Sequence, residues 1–488
     1  MVSWASHLRE GQGIANNSPK TSALPALLRR GSGWLRELER RTRPADPEVV
    51  AALEQRWHEL PTGVRTPGQM LGRKLTGCEG THGVFPACNF GCKPCYLSAN
   101  ANRVRVDGTH RAAEVERQMA FLRERRGPAQ YAQLIGGAVS LLPAEAHAEA
   151  LAVMRRYGRM PMSFSHGDFD YDYLEKIAVA PDGTRRFDLL SFAIHIDSTM
   201  RGRRGTRQAS SERALHAERR RVKDMFDRLT AEHGVRTHLA HNMTVTPDNL
   251  EEVADVVRVC RELGYRMCSF QPAAMVGDER RWGAGYRTLT DDAVWAEAER
   301  GAGRRLPYKA LQVGDLRCNR VTYGLWAVDR YVPLLDDTDP GDLRARDVFL
   351  SRLPGNLLFA PPLIAAARVG RAMLMNPGDV PPVVSWALRL VRRLGVRALG
   401  GDLHPTTYVM HSFMDAADVA PAWDLLQRGV RATDPKLLAT QERLQAGAYG
   451  MAHPERGEIV PACVQHSVLD EAENDRLVAL LPLYRPRE

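Results

Sequence analysis

Residues 88–96 read CNFGCKPCY, three cysteines spaced three and then two residues apart, in a chain with eight cysteines among 488 residues. Three thiolates on one tight loop suit three irons of a cubane iron–sulfur cluster and leave the fourth iron without a protein ligand. Most iron–sulfur proteins supply four cysteines, so three suggest that a small molecule completes the site. Asn89 and Gly91 suit a loop that folds back around a cluster. Zinc is the competing reading, because Cys78 and His82 lie nearby and structural zinc takes four ligands; chance clustering is the third. The other cysteines, Cys78, Cys260, Cys268, Cys318 and Cys463, form no CxxC pair. Cys260 and Cys268 read as core residues, and Cys318 and Cys463 as the candidates for any second cluster.

The elements that must position this loop follow from hydrophobic period. Short apolar runs alternate with amphipathic helices between about 80 and 275. The candidate strands are 81–88, 131–137, 160–166, 188–197, 236–245 and 266–272. One helix is expected over 210–233, capped by Ser210 or Ser211 and ended by Gly234. Another is expected from Thr246-Pro247 to Gly264, with Leu250, Val253, Val257, Cys260 and Leu263 on its apolar stripe. Six strands alternating with helices predict an α/β fold, a partial (β/α)6 TIM-like barrel, whose site lies at the C-terminal strand ends. Residues 1–77 read as a helical N-terminal segment, 78–285 as the core barrel, and 286–488 as a C-terminal domain covering its mouth.

With CxxxCxxC placed before alternating strands, the chain resembles the radical S-adenosylmethionine (radical SAM) enzymes. The resemblance implies a [4Fe–4S] cluster on Cys88, Cys92 and Cys95, with S-adenosylmethionine chelating the open iron. It also implies a one-electron donor such as a flavodoxin or ferredoxin. Reductive cleavage would yield a 5′-deoxyadenosyl radical that takes hydrogen from a substrate. The family often places an aromatic residue just before the third cysteine; here Pro94 stands there and Tyr96 follows. Its GGE-like turn is matched at Gly136 and Gly137 but not by Ala138. Those glycines are assigned to the methionine ammonium. Asp197 and Ser198 are assigned to the ribose or the carboxylate, with an arginine of 201–207 facing the carboxylate. Asn242 is assigned to the ribose and Gln271 to the adenine. His166 is a candidate for acid–base work or for a structural strand end.

The net charge of +9 favours anionic partners without choosing among nucleic acid, phosphorylated substrates and a membrane face. No clear nucleic-acid motif is present. Residues 353–400 set six arginines (368, 371, 389, 392, 393, 397) beside apolar runs, with Asp379 as the one acid. That pattern predicts either a helix docked on the barrel or a peripheral membrane contact. The N-terminal 30 residues lack an apolar leader, and the uncharged, proline-containing stretch Leu353–Ala367 is too short to span a bilayer. A cytoplasmic protein is expected, either free or peripheral to a membrane surface. The tail from MHSFMDAADV to VPACVQHSVLD resembles the radical SAM enzymes of the tetraether-lipid-synthase type. Met410, Ser412 and Val430 stand where that type has cysteines, and Cys463 keeps the last one. This slightly favours a lipid-like substrate. A peptide- or nucleic-acid-derived substrate, or a non-catalytic metal protein, are the alternatives.

Overall fold

The computed structural model describes residues 33–98, 100–277, 282, 284–395 and 403–483. Its strands are β1 (Cys78–Gly80), β2 (Gln130–Leu134), β3 (Arg159–Ser165), β4 (Leu189–His195), β5 (Arg201–Arg203), β6 (Thr206–Gln208), β7 (Arg236–Val245), β8 (Met267–Pro272), β9 (Asn319–Ala327), β10 (Arg330–Pro333), β11 (Leu403–His411), β12 (Tyr449–His453) and β13 (Glu458–Pro461). All but the β5–β6 ribbon join one sheet, in the order β10-β9-β11-β8-β7-β4-β3-β2-β1-β12-β13. From β11 to β12 every neighbouring pair is parallel. Five of the expected strands, seen as β2, β3, β4, β7 and β8, therefore stand in sequence order beside β1, and β11 and β12 extend the parallel run to eight. Residues 286–488, expected as a covering domain, add strands to both edges of the same sheet.

The sheet is curled and open. Tyr323 on β9 comes close enough to Tyr131 on β2 and Cys78 on β1 to feel their charge, although those strands lie far apart in the sheet order. The helices Gly108–Arg126, Ala144–Arg156, Tyr171–Ala178, His216–His233 and Val253–Leu263 connect successive strands. The strand residues facing this helical layer form the main core: Leu134, Phe192, Ile194, Met243, Cys268 and Phe270, with Phe226, Val257 and Cys260 from the helices. Because side chains alternate along a strand, His195, Asn242, Thr244, Ser269 and Gln271 take the other face, inside the curl.

Local departures from expectation have local causes. Residues 81–88 are not a strand. Gly83 turns with φ +63, Pro86 has no amide proton to donate, and only Cys78–Gly80 pair with β2 and β12. So short a strand is held by a buried ion pair, in which Arg159 Nε and Nη2 donate to Glu79 at 2.8 and 3.0 Å. The helix expected from 210 begins at His216, after a tight turn that Ser211 Oγ caps by accepting from the Ala214 amide at 3.3 Å. The helix expected from Thr246 begins at Val253; Thr246-Pro247 instead form a turn closed by Asn249 Oδ1. Gly234 and Gly264 end both helices in the left-handed conformation, as expected.

The arginine-rich region forms two helices, Pro362–Met375 and Val380–Leu394. Most of its arginines are turned to acids of this chain: Arg371 to Glu39, Arg389 and Arg393 to Asp342, and Arg368 to Asp46. Trp386 points inward and donates to the Leu334 carbonyl at 2.8 Å. The charge invoked for an anionic membrane is therefore largely spent within the protein, although Leu363 and Leu374 are each 85% exposed. Arg397, and the N-terminal part of the expected first helix, lie outside the described residues. No helix among the described residues is long and apolar enough to cross a membrane.

Several buried histidines must stay neutral. Burial lowers His147, between Ser163 and Tyr173, to about 3, and lowers His411 to about 4. A folded value below the ordinary 6.5 means that the unfolded chain binds the proton first. Stability is therefore full above pH 6.5 and falls as pH drops toward those values, by up to ~1.4 kcal/mol per pH unit for each histidine. Urea midpoints measured from pH 7.5 to 5 should fall steadily below pH 6.5, and His147→Gln should flatten that slope.

Candidate functional site

The cysteine loop follows β1 and is set by backbone contacts. The Cys88 amide donates to Asn102 Oδ1 at 2.7 Å. The Gly91 and Lys93 amides donate to the carbonyls of Arg201 and Thr199 at 2.9 and 3.0 Å. Phe90 stacks on His166, with ring centroids 4.0 Å apart and 3° between planes. His166 Nδ1 accepts from the Asp168 amide, so Nε2 carries the proton and donates to Asn89 Oδ1 at 2.9 Å. Burial first and then the Arg203 charge lower His166 to about 4. His166 thus holds the loop as a neutral ring, the structural of its two expected roles.

The three thiols do not converge on one point. Among the described residues the one trio of ligand atoms within 4.8 Å of each other is Glu175, Glu232 and His233, on the far side of the fold's helical layer. A tetrahedral zinc with bonds of ~2.3 Å needs its sulfurs closer than that. The expected zinc partners are also engaged: His82 bonds Glu473 and the Ala452 carbonyl, and burial pushes the Cys78 thiol up to about 11. Burial, then Cys95, Cys88 and Asp197, push Cys92 well up. Cys92 thus lies close enough to the other two thiols to feel their charge, although the three sulfurs do not all fall within 4.8 Å of one another.

The residues assigned to S-adenosylmethionine divide into two groups. In the first, the structure commits the side chain to the protein itself. A Cβ on Gly137 would stand 2.0 Å from the Ala87 carbonyl oxygen, and one on Gly136 3.0 Å from that of Phe85. These glycines are required by the chain leading into Cys88, which also accepts from the amides of Gly137 and Ala138. Tyr96 donates its hydroxyl to the Gly136 carbonyl at 2.5 Å. Asp197 is buried and accepts from Thr199 N and Oγ1, Thr244 N and His195 Nε2, at 2.6–2.9 Å. Burial works to raise its pKa, but the His195 charge and these bonds outweigh it and hold it low. Asp197 thereby orients the half-buried His195. Ser198 is tied through its amide to Glu212 at 2.7 Å.

In the second group a buried polar atom has no partner among the described residues. Asn242 Oδ1 and Gln271 Oε1, on neighbouring strands and the same inner face, are both in this state. So is Arg201 Nε. Arg203 and Arg204 are paired to Glu218 and Asp168, so of the three described arginine side chains in that stretch Arg201 has an uncommitted buried donor. Such atoms cost roughly 1–3 kcal/mol each unless something bonds them.

Beyond β8 and β11 lies a cavity of about 400 Å³, lined on one side by Pro272–Met275, Tyr286 and Leu289 and on the other by Ser412–Asp415 and Arg443. It adjoins the cysteine loop. Gly277 is packed so tightly against the Cys95 and Tyr96 carbonyls that a Cβ would lie 2.5 Å from one of them. The His466 ring lies 4.5 Å from that of Tyr96 and 6.1 Å from that of Phe413. Residues 465–483 strap the loop's outer side: Asn474 donates to Ser98 at 2.7 Å, Asn100 donates to Asp475 at 2.6 Å, and Pro482 bridges to Val104. Cys318 and Cys463 come near each other; burial and then the Cys318 thiol push Cys463 up to about 12. Ser412 sits beside them, its amide donating to the Cys318 carbonyl, while Met410 is in the core. Two thiols and a hydroxyl occupy that corner. Arg443, Ser412, Tyr286 and His466 were not singled out as site residues from sequence; they come from separate segments that only the tertiary fold brings together.

No protein family and no curated protein matches the chain. Among solved structures, Streptococcus suis SuiB bound to S-adenosylmethionine aligns at 12% identity and TM-score 0.29, over 42% of this chain and 43% of SuiB. The protein anSMEcpe with bound AdoMet aligns at 12% and 0.29, over 40% and 50%. TYW1 with a lysine-pyruvate adduct bound aligns at 12% and 0.29, over 56% and 82%. The chain thus spans less than half the length of SuiB, and at these values the likeness transfers no function.

Proposed function

We propose that this protein is a radical SAM enzyme whose site is the cysteine loop, the inner ends of β4, β7 and β8, and the adjoining cavity. The observation that carries the reading is a loop with three cysteines at the edge of a parallel sheet whose inner face holds buried Asn242 and Gln271 oxygens without a partner among the described residues. Cys88, Cys92 and Cys95 would hold a [4Fe–4S] cluster. Asn242 Oδ1 and Gln271 Oε1 would accept from hydroxyl and amino donors of S-adenosylmethionine, and Arg201 Nε would donate to its carboxylate. Bound together, cluster and S-adenosylmethionine supply a carbon radical that takes hydrogen from an unactivated C–H bond.

The chain's own part is to position and to enclose. His166 and the Thr199 and Arg201 carbonyls fix the loop, Tyr96 locks it to the Gly136 turn, and the 465–483 strap covers its outer side. His195, oriented by Asp197, presents a ring at the same rim. The electron donor would be a small one-electron carrier such as a flavodoxin or ferredoxin.

Anaerobic purification tests the reading. About four irons and four sulfides per chain, and 5′-deoxyadenosine formed from S-adenosylmethionine with dithionite, are the expected results. A colourless protein after reconstitution, or a loaded one that leaves S-adenosylmethionine intact, would overturn it. The second outcome would leave a non-catalytic metal protein.

A further inference from the structure

The cavity beside the cysteine loop carries an imbalance of charge. Three of its four cations are neutralised by acids: Arg287 by Asp415 at 3.4 Å, Lys436 by Asp418 at 2.6 Å, and Arg317 by Asp315 at 2.6 Å, with Glu442 3.8 Å from Arg317. Arg443 is different. It is half-buried, and its Nε and Nη2 donate to neutral atoms: Cys318 Sγ at 3.4 Å, the Arg317 carbonyl at 2.9 Å and the Ser412 carbonyl at 3.3 Å. No carboxylate lies within 4.0 Å of it among the described residues; Asp315 is near enough to feel its charge but is bonded to Arg317. Beside it, Ser412 Oγ is buried without a partner. Asp291 also lines the cavity, but it opens the helix Asp291–Ala302, whose amino-terminal dipole already offsets its charge.

A cation removed from water without a counter-charge is costly. An anion in the cavity would answer both Arg443 and Ser412. Part of the wall, Ala273, Met275, Leu289, Phe413 and Met414, is apolar beside polar Tyr286 and Thr440, and the volume falls within the ~300–1,000 Å³ of small-molecule sites.

We infer that this cavity binds an organic anion, a carboxylate or phosphate ester on an apolar body, with Arg443 and Ser412 at the anion. Calling that ligand the substrate rests on the function proposed above; the binding does not. The lipid-like substrate expected from the tail is thereby narrowed to one with an acidic group.

Calorimetric titration of the full-length, anaerobically purified protein with octanoate, octyl phosphate and octan-1-ol tests this. One or both anions should bind saturably, and which one binds identifies the acid. Octan-1-ol should bind about tenfold or more weakly. Arg443→Gln should weaken the anion about tenfold, and Ser412→Ala about fivefold. Because Arg443 also braces neighbouring backbone, Ser412→Glu supplies a second route: it keeps the arginine, sets a carboxylate beside it and should abolish anion binding. Equal affinity for octan-1-ol, binding unaffected by Arg443→Gln or Ser412→Glu, or no binding by either anion would overturn the inference. Iron and 5′-deoxyadenosine measured on the same samples report on the enzyme reading separately.

Discussion

Replacing Cys88, Cys92 and Cys95 together by alanine should reduce bound iron, and any cleavage of S-adenosylmethionine, to background. The effect is expected to be complete because three sulfurs would carry three irons, with no fourth thiol on the loop to compensate. The fold should survive. The loop is held mainly by backbone bonds to Asn102, Thr199 and Arg201 and by the Phe90–His166 stack, with one amide contact to the Cys88 sulfur. Circular dichroism should therefore match the parent. Cys463→Ala, at a position partly buried against a separate apolar cluster, should keep its full iron complement. Iron retained by the triple variant would move the metal elsewhere and remove the basis for the proposed function.

The second large effect is expected from one methyl group. Gly137→Ala places a Cβ 2.0 Å from the Ala87 carbonyl oxygen and 2.5 Å from that of Pro86. Both obstacles are backbone, so the chain entering Cys88 must move. The variant should lose most of its iron along with its S-adenosylmethionine turnover. A glycine serving only to admit the ligand would behave otherwise: iron would be normal and only the affinity for S-adenosylmethionine would fall. Iron content against ligand affinity therefore separates the packing role from the binding role that its family resemblance suggests. A normal iron content in Gly137→Ala would refute the packing account.

The inner strands were legible because their signals are local. The stretches now seen as β2, β3, β4, β7 and β8 are short apolar runs bounded by helical stripes, and each was placed within a few residues. The outer strands were not. β11 carries Pro405 and two threonines, and its pairing with β8 and β9 is long-range. The β9–β10 turn uses Val328 at φ +59, where a hairpin signal would have glycine or asparagine. For the site, residue type was readable at the rim but commitment was not. Asp197 and Asn242 both look like polar strand ends; only the fold shows four donors satisfying the first and none satisfying the second. Arg443 has no local signal at all, since its meaning is the absence of an acid in space.

The strap has a consequence for the order of events during synthesis. His82 is bonded to Glu473, 391 residues later, and Ser98 to Asn474, 376 residues later. β1 itself is flanked by β12, which is also translated late. The cysteine loop leaves the ribosome long before the residues that cover its outer side, which follow only 376 to 391 positions later. Contacts of such separation form slowly. While translation proceeds, the three thiols face solvent and remain accessible to any machinery that delivers iron and sulfide. Completion of the chain would then close the strap over a loop already loaded.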